Sequence, residues 1–116
     1  MSEKTINSDL IRGHIDTIIL KILLVNDSYG YEIMKAASIN SGGKYELKEP
    51  SLYTSLKRLE KQGDIKSYWG NESQGGRRKY YQITDSGRDS LDKAIKEWIF
   101  AQKIINQLLL GGADNE

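Results

Sequence analysis

The sequence predicts a mainly helical α+β chain: three short helices, a two-stranded hairpin and a long terminal helix. Three observations carry this. Isoleucines and leucines recur at helical spacing between Ile11 and Leu23 and again between Leu52 and Leu59. Two short tracts rich in aromatic and branched residues, Ile65 to Trp69 and Lys79 to Ile83, flank a glycine-rich loop. From Leu91 onward apolar residues repeat every seven positions.

Each element has its own warrant. Ile11, Ile15, Ile18, Ile19, Ile22 and Leu23 form a broad apolar stripe, with Arg12, Asp16 and Lys21 between them. Asn26-Asp27-Ser28 closes this helix and supplies side chains suited to begin the next. A second helix follows through Ile33, Met34 and Ala37, and Asn40-Ser41-Gly42-Gly43 stops it. Tyr45 and Leu47 alternate with Lys44, Glu46 and Lys48, which predicts a short extended piece.

Pro50 suits a first helical turn, where its missing N–H is no loss. Leu52, Leu56 and Leu59 give the third helix its apolar face, leaving Ser51, Thr54, Ser55, Lys57, Arg58 and Lys61 elsewhere on it. Gly63 terminates it. The loop between the two strand tracts is too long for a tight turn, so the hairpin tip is expected to be mobile. Thr84-Asp85 caps the last helix, in which Leu91, Trp98 and Ile105 form one stripe and Ala94, Ala101 and Leu108 another. Gly111-Gly112 ends it, and residues 113–116 are expected to be disordered. Three helices followed by a two-stranded wing make a winged helix-turn-helix. The expected division is 1–83 for that domain, 84–110 for a dimerisation helix and 111–116 for a tail.

Composition narrows the function. With 38% apolar residues, a chain of this size is expected to complete its core by association. Net charge is only +1, yet residues 57–79 hold seven cations against three acids, a local basic footprint. There is no cysteine, which removes disulfides and thiolate chemistry. The longest apolar run, Ile15 to Val25, is broken by Asp16 and Lys21 and is too short to span a bilayer. Ser2-Glu3-Lys4-Thr5 lacks the pattern of a signal peptide, so a cytoplasmic protein is expected.

No catalytic or metal-binding set emerges. His14 is the single histidine, without a neighbouring ligand. Glu46 with Glu49, and Asp89 with Asp92, read as solvated acids at helix ends. The glycine-rich loop lacks both nucleotide-binding fingerprints. The expectation is no catalytic residue, no metal and no cofactor.

The tract from Gly70 to Tyr81 points to nucleic acid. Its glycines allow close approach of the main chain, and Arg77-Arg78-Lys79 can neutralise phosphates. On the third helix, Ser51, Tyr53, Thr54 and Lys57 have the side chains that contact phosphates and base edges in a major groove. Tyr29-Gly30-Tyr31 opens the second helix. Gly30 permits close approach of a neighbour, Tyr29 either packs or reaches a phosphate, and Tyr31 is expected in the core. The last helix is too apolar to stand alone, and a second copy of the chain is its simplest partner. Trp98 reads either as a tryptophan of that interface or as a platform for flat ligands.

Tyr29-Gly30-Tyr31-Glu32-Ile33, the run Glu49-Pro50-Ser51-Leu52-Tyr53 through Gly63, and Gly75-Gly76-Arg77-Arg78-Lys79-Tyr80-Tyr81 with Thr84 and Gly87 together resemble the PadR family of bacterial transcriptional regulators. The single C-terminal helix is similar to that of its short subfamily. The resemblance implies a homodimer that binds palindromic operators, usually as a repressor. It implies a recognition helix at Pro50 to Gln62 and a wing at Gln74 to Lys79. The expected DNA-contacting set is therefore Tyr29, Pro50, Ser51, Tyr53, Thr54, Lys57, Gln74, Gly76, Arg77, Arg78 and Lys79.

In multidrug-sensing members of the family a paired tryptophan sandwiches planar compounds between subunits, and Trp98 matches that position. Ile99, Phe100 and Ala101 depart from the more polar surroundings of those sensors. Trp98, Ile95, Ala94 and Ile15 are the expected contacts for a planar aromatic or cationic inducer. Leu91, Trp98, Ala101, Ile105 and Leu108 are the expected dimer contacts. The rival expectation is a winged-helix protein-interaction module that binds no DNA. The resemblance also implies a bacterial, nucleoid-associated location.

Overall fold

A computed structural model describes residues 4–71 and 76–111 of the chain. Along them run α1 (Ser8–Ile11), a 3-10 turn (Arg12–His14), α2 (Ile15–Val25), β1 (Ser28–Tyr29), α3 (Gly30–Asn40), α4 (Glu49–Lys61), β2 (Ile65–Trp69), β3 (Lys79–Ile83) and α5 (Asp85–Leu110). The fold is a winged helix: α2, α3 and α4 pack together, and the β2–β3 hairpin lies beside them.

The predicted first helix is broken at Gly13, where the chain tightens into the 3-10 turn before α2 resumes the apolar spacing. Ile19, Leu20, Ile22 and Leu23 bury on α2, and Ile33 and Ala37 bury on α3. From α4 come Leu52, Leu56 and Leu59, all at 1% exposure or less. Burying each contributes about 1.5–3 kcal/mol before chain entropy is counted. Ile65, Tyr81 and Ile83 close the core from the wing side, and Leu91 closes it from α5.

The sheet is three-stranded and antiparallel, in the order β1-β3-β2. The sequence predicts the two wing strands; a third, not anticipated, lies at Ser28 and Tyr29, which pair with Tyr81 and Tyr80. Residues 44–48 are extended but join no ladder. Tyr45 and Leu47 do alternate inward, but they insert directly into the helical core. The free edge of β3 is taken by the two residues just before α3, a strand too short to show a period.

Three further expectations change. Tyr31 is 60% exposed, because α3 buries the stripe Gly30, Ile33 and Ala37 and position 31 falls off it. Ser55 is buried on the inner face of α4 and accepts a hydrogen bond from the Arg58 guanidinium at 3.2 Å. Leu91, expected at a dimer contact, is consumed by the chain's own core.

Turns follow local chemistry. Gly63 holds φ +82° after α4, a conformation that a side chain would strain. Thr84 caps α5 by accepting from the Gly87 N–H at 3.0 Å, and its own hydroxyl donates to the Gly63 carbonyl at 2.7 Å. Gly87 itself packs on the Asp64 carbonyl, where a methyl group would overlap main chain. α5 then runs for 26 residues, about 39 Å, well past the body. Beyond Leu91 its apolar side chains stay exposed, including Trp98, Ile105 and, at 76%, Leu108.

Candidate nucleic-acid interface

α4 reaches the surface with a polar outer side. Pro50, Ser51, Tyr53, Thr54 and Lys57 are all exposed. Two contacts hold this helix in place. Arg58 grips Asp16 of α2 with two hydrogen bonds of 2.8 Å, so its charge is spent inside the fold. Half-burial pushes the Asp16 carboxyl up. Hydrogen bonds from Arg58 and Ser55 and the guanidinium charge outweigh this and hold it below its ordinary value of 3.8. In the same last turns of α4, Glu60 accepts from Ser67 of β2 at 2.7 Å.

Gly30 sets the start of α4 against the start of α3. The Tyr53 hydroxyl lies where a side chain at position 30 would begin, and Leu52 packs just behind. Replacing this hydrogen by a methyl group would force Tyr53 aside.

Alternation along the hairpin sends its residues to two faces. Ser67 opposes Tyr81 and Trp69 opposes Lys79, so these four share the face turned to α4. Tyr53, Thr54 and Lys57 of the helix and Lys79 and Tyr81 of the wing line one hollow, with Glu60 at its side. Lys79 lies 5.8 Å over the Tyr81 ring, and Arg77 lies 5.5 Å over Trp69. Cations stacked on aromatic faces keep their N–H groups outward while losing side-chain freedom. Burial, followed by the charges of Glu60 and Tyr53, pushes the Tyr81 phenol up.

Tyr68, Tyr80 and Gln82 occupy the other face. There Arg78 lies 4.8 Å over the ring of Tyr29. Tyr29 meets Tyr80 edge-on at 5.4 Å, and Tyr80 stacks on Tyr68 at 5.7 Å. Tyr29 is thus a half-buried packing residue and a support for a wing cation. Asp27 accepts from the Tyr68 hydroxyl at 2.6 Å and from the Gln82 amide at 3.2 Å. The hydrogen bond to Asp27, then burial and the carboxylate charge, push the Tyr68 phenol up.

Nine of the eleven expected DNA-contacting residues therefore carry side chains on α4, β1 and the wing, and Gly76 joins them with φ +83°. Gln74 lies outside the described residues, as do Gly75 and the expected tail at 113–116. Sequence reasoning missed the roles of Asp27 and Trp69. Trp69 stood at the end of a predicted strand beside the loop, but which cation it supports depends on strand register.

A second hollow, about 530 Å³, opens between α1, α2, the end of α3 and α5. Its walls are apolar, with Ile11, Ile18, Leu91, Ala94, Ile95 and Trp98 among them. Trp98 meets His14 edge-on at 4.8 Å. Three of the four expected ligand contacts line it. Ile15 does not, because it turns from the neighbouring side of α2 toward the core. Among the described residues its ionisable lining groups are His14 and Lys21.

No helix among the described residues is long and apolar enough to cross a membrane. The family model described as the transcriptional regulator PadR-like family matches residues 19–93. An uncharacterised protein of Lysinibacillus sphaericus is 43% identical over 106 residues, covering 91% of this chain and 97% of that one. A transcriptional regulator from Clostridium thermocellum is 47% identical, with TM-score 0.83 over 90% of this chain and 99% of its own. A PadR family transcription regulator from Clostridium difficile is 46% identical, with TM-score 0.71 over 84% and 99%.

Proposed function

Because this chain belongs to the PadR-like family of transcriptional regulators, and is a regulator and not an enzyme, we propose that it acts as a homodimeric, cytoplasmic, nucleoid-associated repressor on palindromic operator DNA. The observation that carries the reading is the shared hollow of α4 and the wing. Tyr53, Thr54 and Lys57 meet Lys79 there, with Arg77 stacked alongside. A helix held at a fixed angle to a cationic hairpin suits insertion in a major groove with the wing along the adjacent backbone. The rival protein-interaction module would need an apolar outer side on α4, and that side carries Ser51, Thr54 and Lys57.

Pairing of subunits runs through α5 in this proposal. Ala101, Ile105 and Leu108 continue the seam that Leu91 begins within the core. A dimer spaces two α4 helices for successive major grooves on one face of a duplex. The hollow at Trp98 would take a planar aromatic or cationic inducer against the indole ring. It shifts the DNA-binding equilibrium only by binding the two arrangements of the dimer unequally.

The test is a salt titration of duplex binding by the wild type and by Arg77→Ala/Arg78→Ala, with sedimentation run in parallel. The expected wild type is a dimer. The double variant weakens binding to every sequence and lowers the slope of log affinity against log salt by about 3.6, at ~0.9 for each of two phosphate contacts on both wings of the dimer. An unchanged slope removes the wing assignment, and a monomer removes the pairing.

A further inference from the structure

Resting on the DNA-binding reading, we infer that Asp27 is a positioning residue that sets the pitch of the wing against the recognition helix. The carboxylate stands in the link between α2 and β1, at the far edge of the sheet from β2. It nonetheless reaches a donor on each strand of the hairpin: Tyr68 of β2 at 2.6 Å and Gln82 of β3 at 3.2 Å. Tyr68 opposes Tyr80, and Gln82 is the next residue along that same face. One acceptor therefore ties both strands to the helical body.

The opposite face has its own tie. Ser67, the neighbour of Tyr68, points the other way and bonds Glu60 of α4 at 2.7 Å. A hairpin joined to the body along one edge can rock about its long axis. Ties on both faces oppose rocking in both directions. The cations at the far end, Arg77 to Lys79, are displaced most by any rotation at the base.

Charge sharpens the argument. An acid close to a phosphate-facing surface opposes DNA binding through its field. Asp27 is half-buried and accepts hydrogen bonds from two neutral donors, the Tyr68 hydroxyl and the Gln82 amide. Simple electrostatics then predicts that removing its charge tightens binding. A positioning role predicts the reverse. The two accounts differ in sign.

The experiment measures binding of the full-length protein to a random-sequence fluorescent duplex across a salt series, with thermal unfolding of each variant alongside. Asp27→Ala is expected to weaken binding about three- to tenfold, the range of a hydrogen-bond tie lost. Its salt slope should fall by about 0.9 for each wing contact given up. Asp27→Asn keeps an acceptor oxygen for Tyr68 and should recover most of the loss. Tyr68→Phe keeps the ring stack, removes only the donor and should weaken binding like Asp27→Ala, without adding to it in the double variant. If Asp27→Ala does not fold, Tyr68→Phe decides alone.

Binding by Asp27→Ala as tight as wild type, or tighter, overturns the inference while leaving the DNA reading intact. So does a lower melting temperature with an unchanged salt slope, which marks general destabilisation. A wild-type protein that binds no duplex removes both.

Discussion

Gly30→Ala separates the stability of this fold from its function. The residue sits in the first turn of α3 with ordinary helical backbone, so alanine gains up to about 1 kcal/mol in helix propensity. Against this stands the overlap with Tyr53. The atom met first is the phenol oxygen, the far end of a side chain that is 45% exposed and free to swing outward. Leu52 sits at ordinary contact distance and need not move. Swinging Tyr53 outward uncovers part of the half-buried ring. A half-buried tyrosine covers roughly 100 Å², worth at most about 2.5 kcal/mol, and a partial uncovering costs about 1. The two effects nearly cancel, and the melting temperature should stay within about 8 °C of wild type.

DNA binding should not survive so well. Tyr53 faces the hollow shared with Lys79, and a displacement of about a methyl radius breaks a hydrogen bond to phosphate or base edge. A loss of about 1 kcal/mol is a factor of roughly five. The assay is a mobility-shift titration of wild type, Gly30→Ala and Tyr53→Phe. Gly30→Ala should match Tyr53→Phe or fall below it. Wild-type affinity in Gly30→Ala would refute the argument that the absent side chain at position 30 aims Tyr53.

Two further outcomes are expected. Asp16→Ala should lower stability by about 1 kcal/mol, the upper range for a partly exposed bidentate pair. Because the Asp16 carboxyl titrates below its ordinary value in the fold, its contribution is complete above pH 3.8 and vanishes as pH falls through the folded value. The wild-type and variant unfolding curves should converge in acid, and a gap that persists there sinks the bridge as its source. At the α5 hollow, planar aromatic dyes, cationic ones included, should quench tryptophan fluorescence, and Trp98→Phe should lose that quenching while Trp69 still emits. Equal quenching in the variant would move the ligand elsewhere.

The elements that the sequence disclosed share one property: their signal is local. Leu52, Leu56 and Leu59 lie on one helix, and a period of 3.6 states their common face without reference to anything else. The wing strands were legible with their bounds because glycines and cations separate two tracts of strand-forming residues. Tyr45 and Leu47 were read as a short extended piece, and residues 44–48 are extended, but alternation reports neither how deeply such side chains insert nor whether a neighbouring edge exists. Ser28 and Tyr29 form the third strand because β3 offers an edge there, a fact about residues some fifty positions away.

The basic footprint, the polar outer side chains of α4 and the apolar terminal helix follow from composition and spacing, which depend on the order of residues alone. Which charges remain free does not. Arg58 and Lys57 are adjacent in the chain, yet one is spent on Asp16 and the other faces the hollow. Asp27 carried no pattern of its own, and its two donors come from strands that begin far downstream. Long-range pairings of this kind arise from the packing of whole elements, because only folding brings such side chains within hydrogen-bond reach.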